Sequence, residues 1–129
     1  MIKSLFFDII FVGDDDMPYI QTRTNTSISK DKEIRIKERL GEAISILNKS
    51  EDWLMVEFVP DCKMYFAGDD TKKIAYVDIK VYGRGDAERF NLMTEKVSQI
   101  LNEELDILPE NIYVSYMEFA NWGYNGRNF

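Results

Sequence analysis

The chain has no histidine and a single cysteine, Cys62, in 129 residues. Without histidine, neither a Ser-His nor a Cys-His nucleophile can be assembled within it. One cysteine excludes an intrachain disulfide framework and any cysteine-based zinc cluster, and no imidazole is there to complete a transition-metal site. Acid–base chemistry is left to another amine, a carboxylate or a tyrosine. Positive charge is also scarce, with 16 Lys and Arg against 23 Asp and Glu and a formal net charge of -7. The cations are dispersed: Lys30, Lys32, Arg35, Lys37 and Arg39 are interleaved with Asp31, Glu33 and Glu38. A phosphate backbone is gripped by clustered Lys and Arg, so no nucleic-acid partner is expected and this run reads as a solvated helix face.

Long hydrophobic runs are lacking too. The stretch from Met1 to Gly13 is apolar apart from Lys3, Ser4 and Asp8, but Asp8 splits it, no small-residue cleavage site follows, and it is too short to span a membrane. No membrane partner, metal or cofactor is expected, and a cytoplasmic location is, with secretion by a non-classical route as the alternative. Gly83-Arg84-Gly85 precedes a helical segment, yet its glycine spacing fails at Glu88, so it reads as a strand-to-helix turn rather than a phosphate loop. Asp14-Asp15-Asp16 and Asp69-Asp70 lack the alternating oxygen ligands and distal Glu of a calcium loop and read as solvated acidic turns.

What is present is one domain's worth of core: 45% hydrophobic and 13% aromatic residues. A strand-like run from Pro18 to Thr24 leads to a helix whose apolar residues Ile36, Leu40, Ala43, Ile44 and Leu47 share a stripe, with Ser29 as N-cap. Lys49 falls just past that stripe, where it would complement the helix dipole. Leu54 to Val59 reads as a buried strand stopped by Pro60-Asp61, and Met64-Tyr65-Phe66 as a short apolar piece before a turn. The order then repeats: a strand over Ala75 to Tyr82, a helix over Asp86 to Asp106, and a strand over Ile112 to Phe119. Two right-handed β-α-β halves give an α+β fold with a four-stranded mixed sheet and both helices on one face. On the third strand Val77, Ile79 and Val81 alternate with Tyr76, Asp78, Lys80 and Tyr82, so the second sheet face is amphipathic and suits an oligomer contact. Tyr113, Tyr116, Trp122 and Tyr124 could line an aromatic pocket, but on pattern alone they read as core or interface packing.

Met17-Pro18-Tyr19-Ile20 with Thr24-Asn25, then Val59-Pro60-Asp61, Met64 and Phe66-Ala67-Gly68, form one ordered set of landmarks. Ala75, Gly83, Ile112-Tyr113-Val114, Tyr116 and Asn121-Trp122-Gly123-Tyr124-Asn125 continue it to the carboxyl end. Together they resemble the macrophage migration inhibitory factor and D-dopachrome tautomerase family of the tautomerase superfamily. The resemblance covers the chain after Met17, and implies a domain over 18–129 preceded by an extension over 1–17. It also implies a homotrimer with active sites between subunits, and cofactor-free keto-enol tautomerisation of phenylpyruvate-like or dopachrome-like substrates. The amine of Pro18 would be the base. Lys49 would bind the carboxylate of a small aromatic 2-oxo acid and disfavour protonation of the amine. Tyr82 would offer its backbone N–H, Tyr113 would come from the adjacent subunit, and Tyr19 would lie beside the base. Trp122 and Phe129 would be hydrophobic walls. Ser115 stands where better-known members carry asparagine, which implies a shorter hydrogen-bonding arm. Lys72 to Tyr76 occupies the place of a Cys-x-x-Cys motif, which removes any thiol–disulfide activity.

Pro18 is preceded here by seventeen residues, which makes its nitrogen an amide without a basic lone pair. Tautomerase activity therefore requires translation from Met17 followed by loss of that residue, or proteolytic removal of the extension. A retained extension leaves a non-catalytic interaction protein, a cytokine mimic with an unknown receptor, as the alternative. A ligand-binding regulatory domain of ferredoxin-like β-α-β repeats, dimeric rather than trimeric, is a third reading.

Overall fold

A computed structural model describes residues 17–129. The expectations for Met1 to Gly13 and for Asp14-Asp15-Asp16 lie outside the described residues. Strand β1 spans Pro18–Thr24 and alternates as its sequence dictates, burying Ile20, Thr22 and Thr24 while Tyr19, Gln21 and Arg23 face the other way. Helix α1 spans Lys30–Ala43; the Ser29 hydroxyl accepts the Lys32 N–H, and Asp31 and Glu33 occupy the first turn, where the helix dipole favours anions. Its buried stripe passes through Ile36, Leu40 and Ala43 into a 3-10 turn, Ile44–Leu47, ended by Asn48 in the left-handed region at φ 61°. A second 3-10 turn, Glu51–Trp53, is capped by Ser50 and closed by the Leu54 N–H on the Glu51 carbonyl. That bond explains why strand β2, Met55–Val59, starts one residue later than the hydrophobic run suggests.

Strand β3 is Ala75–Tyr82, helix α2 is Ala87–Leu105 and strand β4 is Ile112–Phe119, close to the expected boundaries. Asp86 caps α2 by accepting the Arg89 N–H at 2.9 Å, and Asp106 ends it at φ 62°. The Met64 to Phe66 piece does not join the sheet: Phe66 pairs back onto Asp69 around Ala67 and Gly68, both at positive φ. One element was not anticipated, a small hairpin of β5, Gly123–Tyr124, and β6, Arg127–Asn128.

The sheet order is β2-β1-β3-β4, with β1 parallel to β2, antiparallel to β3, and β3 parallel to β4. Both helices cover one face, where Ile20, Val77, Ile79 and Val81 pack in one cluster with Ile36, Leu40, Met93, Val97, Ile100 and Leu101. Burying each such side chain is worth roughly 1.5–3 kcal/mol, so this face sets the fold. The helices are joined at their outer edge by Arg35 on Glu104 at 2.9 Å and by Arg39 on Glu103 and Glu104. The opposite face is left open, and the strand register lays three rows across it: Met55, Tyr19, Lys80, Met117; Glu57, Gln21, Asp78, Ser115; Val59, Arg23, Tyr76, Tyr113. Met55, Tyr76, Tyr113 and Met117 on this face are all exposed.

Candidate active site

Pro18 opens β1 opposite Val81 and is buried. Its neighbour Met17 is 3% exposed, and the Met17 carbonyl accepts the Tyr82 N–H at 3.1 Å. Lys49 follows the left-handed residue Asn48, which turns the chain back toward the end of β3. There its ammonium donates to the Tyr82 carbonyl at 3.0 Å and is withdrawn from water, the residue being 6% exposed. That bond ties the Lys49 side chain to the end of β3. Pro18 and Lys49 are linked through the backbone of one residue: Tyr82 gives its N–H to the Met17–Pro18 peptide and its C=O to the lysine.

Pro18 lines a cavity of about 510 Å³ together with Tyr19, Trp53, Lys80, Trp122 and Tyr124. The lining rings Trp53, Tyr124 and Trp122 are joined by a chain of ring contacts that runs behind the cavity through Phe129 and Tyr82. Trp53 meets Tyr124 edge-on at 5.1 Å, Tyr124 stacks on Phe129 at 6.4 Å, and Phe129 lies 6.1 Å from Tyr82. Tyr82 in turn lies 6.5 Å from Trp122. Phe129 is held there by its N–H on the Trp122 carbonyl at 3.0 Å. These residues come from the 3-10 turn before β2, the end of β3 and the C-terminal hairpin, so only the closed fold assembles them. The cavity suits a planar aromatic ligand on size and lining.

Tyr19 donates its phenolic hydroxyl to Glu57, and the Lys80 ammonium sits over its ring, 5.5 Å from the centroid. The hydrogen bond to Glu57 above all, then burial and the negative charge of Glu57, push the phenol above its usual range and hold it protonated. Tyr19 can thus donate a hydrogen bond but is a poor base at neutral pH. Lys80 makes a 2.6 Å ion pair with Asp78.

Tyr113 and Ser115 lie elsewhere. Tyr113 pairs across to Tyr76 and Arg23, five residues along β1 from Pro18, roughly 17 Å at the rise of a strand. It is 62% exposed and meets Phe66 edge-on at 5.1 Å, while Ser115 shares a hydrogen bond with the Tyr76 hydroxyl at 2.9 Å. The structure thus brings together Pro18, Tyr19, Tyr82, Trp122 and Phe129, ties Lys49 to them through Tyr82, and leaves Ser115 in the middle row of the open face and Tyr113 at its other end. The packing expectation for the late aromatics splits: Tyr116 stacks on Phe90 against the core, whereas Tyr113 and Tyr124 are exposed. Trp53 and Lys80 are cavity residues that sequence reasoning missed, and Tyr124 is one that it raised for a pocket and set aside as packing. Of these only Tyr124 carried a signal, the Asn125-Gly126 turn beside it. Among the described residues no group of three or more His, Cys, Asp and Glu could hold a metal ion, and no helix is long and apolar enough to cross a membrane.

Comparison with known proteins agrees with this architecture. The family model described as macrophage migration inhibitory factor matches residues 17–129. The macrophage migration inhibitory factor of Meriones unguiculatus is 27% identical over 115 residues, covering 88% of this chain and 99% of that protein. The rat protein of the same name is 28% identical over 116 residues, with the same coverage. Among solved structures, Leishmania major MIF2 superposes with a TM-score of 0.83 at 29% identity, covering 89% of this chain and 99% of the other. The homologue from Prochlorococcus marinus gives 0.78 at 25% identity over 86% of this chain and 98% of its own. Duplicated β-α-β halves, the sheet order and a family match running from Met17 to Phe129 identify the chain as a member of the macrophage migration inhibitory factor family.

Proposed function

We propose that the protein is a keto-enol tautomerase of arylpyruvate-like and dopachrome-like substrates, with Pro18 as its base once the Met17–Pro18 bond is cut. The observation that carries this reading is the seat of Pro18: a buried residue at the head of β1, lining a cavity walled by Trp53, Trp122 and Tyr124. Cleavage turns an amide nitrogen into a secondary amine. It also takes the Met17 carbonyl off the Tyr82 N–H, freeing that donor for substrate. The amine then takes a proton from the carbon between the ring and the carbonyl. The electron pair of the broken C–H bond forms the enol double bond, the carbonyl oxygen takes a proton from the prolinium or from solvent, and loss of the prolinium proton restores the free amine. Lys49, on the far side of Tyr82, disfavours a second positive charge nearby and keeps the amine basic in the unprotonated form.

A homotrimer belongs to this reading. The open face leaves Met55, Tyr76, Tyr113 and Met117 exposed, and Tyr113 lies too far along its own sheet to reach the Pro18 cavity, so a second copy would have to supply it and Ser115. A second function also has an observation behind it. With Met17 in place, its carbonyl caps the Tyr82 N–H and its side chain is buried, which favours a non-catalytic interaction protein wherever the extension is retained.

Intact mass of the natively produced protein, with phenylpyruvate enolisation followed by ultraviolet absorbance on the same sample, separates the two. A chain beginning at Pro18 should turn over, and Pro18→Gly should cost on the order of 10²–10⁴-fold, the usual contribution of a positioned base. An uncleaved chain without turnover, or activity indifferent to Pro18→Gly, would overturn the tautomerase.

A further inference from the structure

We propose that Asn125 is a site of spontaneous covalent modification, its side-chain amide being lost to attack by the backbone nitrogen of Gly126. The reaction belongs to the chain itself and stands whatever chemistry Pro18 performs. The Gly126 nitrogen gives up its proton and bonds to the carbonyl carbon of the Asn125 side chain. The bond from that carbon to the side-chain nitrogen breaks, ammonia leaves with the proton, and a cyclic imide remains. Water then opens the imide at either carbonyl. One opening gives aspartate, and the other routes the main chain through the former side chain as an isoaspartyl linkage. Of the eight asparagines, Asn125 is the one followed by glycine. Glycine has no Cβ to obstruct ring closure at its own nitrogen.

The fold leaves this pair uncommitted and holds other asparagines. Asn25 donates to the Lys72 carbonyl at 2.8 Å and accepts the Ile74 N–H at 2.9 Å. Asn91 and Asn102 lie within α2, which fixes their backbone, and Asn111 is buried. Asn125 is exposed in the turn between β5 and β6, and among the described residues neither its side-chain amide nor the Gly126 N–H makes a hydrogen bond. Only two residue pairs close the hairpin, so it opens locally at little cost and lets the torsions reach ring closure. The place matters because Tyr124 comes next to it. A main chain lengthened by one carbon no longer closes the same two-residue turn. Tyr124 then loses its edge-on contact with Trp53 at 5.1 Å and its stack on Phe129. Both products also set a negative charge beside the cavity that Tyr124 lines. The hairpin thus ages from a form that holds an aromatic ligand to one that holds it poorly.

The test uses the full chain, folded and kept warm at mildly alkaline pH, with a urea-unfolded sample beside it to prove that the conditions drive the reaction. Peptide mapping by mass spectrometry should show the gain of an amide-to-acid conversion at Asn125 ahead of every other asparagine. Labelling by an isoaspartyl methyltransferase should place the isoaspartyl linkage in the same peptide. The aged folded chain should bind 3-phenylpropionamide several-fold more weakly, read from the fluorescence of its two tryptophans, both of which line the cavity. Asn125→Gln has a longer side chain that closes its ring far more slowly, so it should keep both mass and affinity through the same incubation. A folded chain that gains no mass at Asn125 while the unfolded sample does would mean that the turn protects the amide, and would overturn the site. Conversion spread evenly over the asparagines would overturn it as well. Conversion at Asn125 with ligand affinity unchanged would overturn its hold on the cavity.

Discussion

Lys49 donates a 3.0 Å hydrogen bond to the carbonyl of Tyr82, the residue whose own N–H is bonded to Met17. The end of β3 therefore depends on a buried cation from a segment thirty-three residues earlier. Lys49→Met keeps most of the stem and removes the donor, so the Tyr82 carbonyl loses this bond in a place with little water. The expected cost is about 1–3 kcal/mol in urea unfolding, together with a drop in enolisation rate on a chain starting at Pro18. A variant as stable as the parent but slower would assign Lys49 to the chemistry alone.

Much of this arrangement was legible in the sequence, and the limits were physical. Ala75 to Tyr82 alternates strictly because one face packs on helices and the other does not, so period two survives in the letters. The stripes of α1 and α2 survive for the same reason. The β5–β6 hairpin did not, since two-residue strands are too short to show a period, even though Asn125-Gly126 announces the turn. Trp53 and Tyr124 are seventy-one positions apart, and no local pattern says that a 3-10 turn and a terminal hairpin will meet. Lys80 looked like one more polar residue on an outer face, because its place in the cavity lining depends on the segments beside its strand rather than on the strand itself. Pro18, Tyr19, Tyr82 and Phe129 were named through family resemblance, and periodicity gave no reason to single them out.

Thr22 tests the core directly. It sits on the helix-facing side of β1, 1% exposed, and its hydroxyl has no hydrogen-bond partner among the described residues. Valine has nearly the same shape, prefers strands and carries no polar atom to desolvate. Thr22→Val should stabilise the fold by about 1–3 kcal/mol, the penalty of an unsatisfied buried group. Thermal unfolding checks it, and a lower melting temperature would mean that the hydroxyl is satisfied in solution.

The helix pair carries a pH dependence. The hydrogen bond from Arg35 above all holds the Glu104 carboxyl below its ordinary value of 4.5; burial opposes it, and the hydrogen bond from Arg39 adds to the lowering. A carboxyl depressed on folding contributes stability that is complete above the unfolded pKa and is lost as pH falls through the folded one. Glu104→Gln should therefore cost about 1 kcal/mol at neutral pH, as for an ion pair at the edge of the helices whose Arg35 partner is half exposed. The gap between parent and variant should close below the ordinary value of 4.5. Urea midpoints at pH 7 and pH 3 measure it, and a gap that persists in acid would assign the loss to packing.

The last prediction concerns the turn that carries Tyr124. Asn125 at φ 54° and Gly126 at φ 86° give two successive left-handed residues, the geometry that closes a two-residue hairpin. A Cβ on Gly126 would meet nothing within 4 Å, so Gly126→Ala charges only the backbone conformation, about 1–2 kcal/mol. The exposed hairpin buries little, so the strain is relieved by fraying there rather than by global unfolding. Tyr124 would then leave Trp53 and Phe129, and the cavity would lose a wall. The expected result, read from the fluorescence of the two tryptophans that line the cavity, is a several-fold loss of affinity for 3-phenylpropionate and for its neutral amide alike, because the lost contact is with the ring. Gly68→Ala is the matched control. It too has a positive φ, 79°, and open space around it, but it belongs to the Phe66–Asp69 turn, so it should leave tryptophan-detected binding intact. Equal binding losses in both variants would mean that backbone strain spreads through the whole domain and that the hairpin is no separate wall of the site.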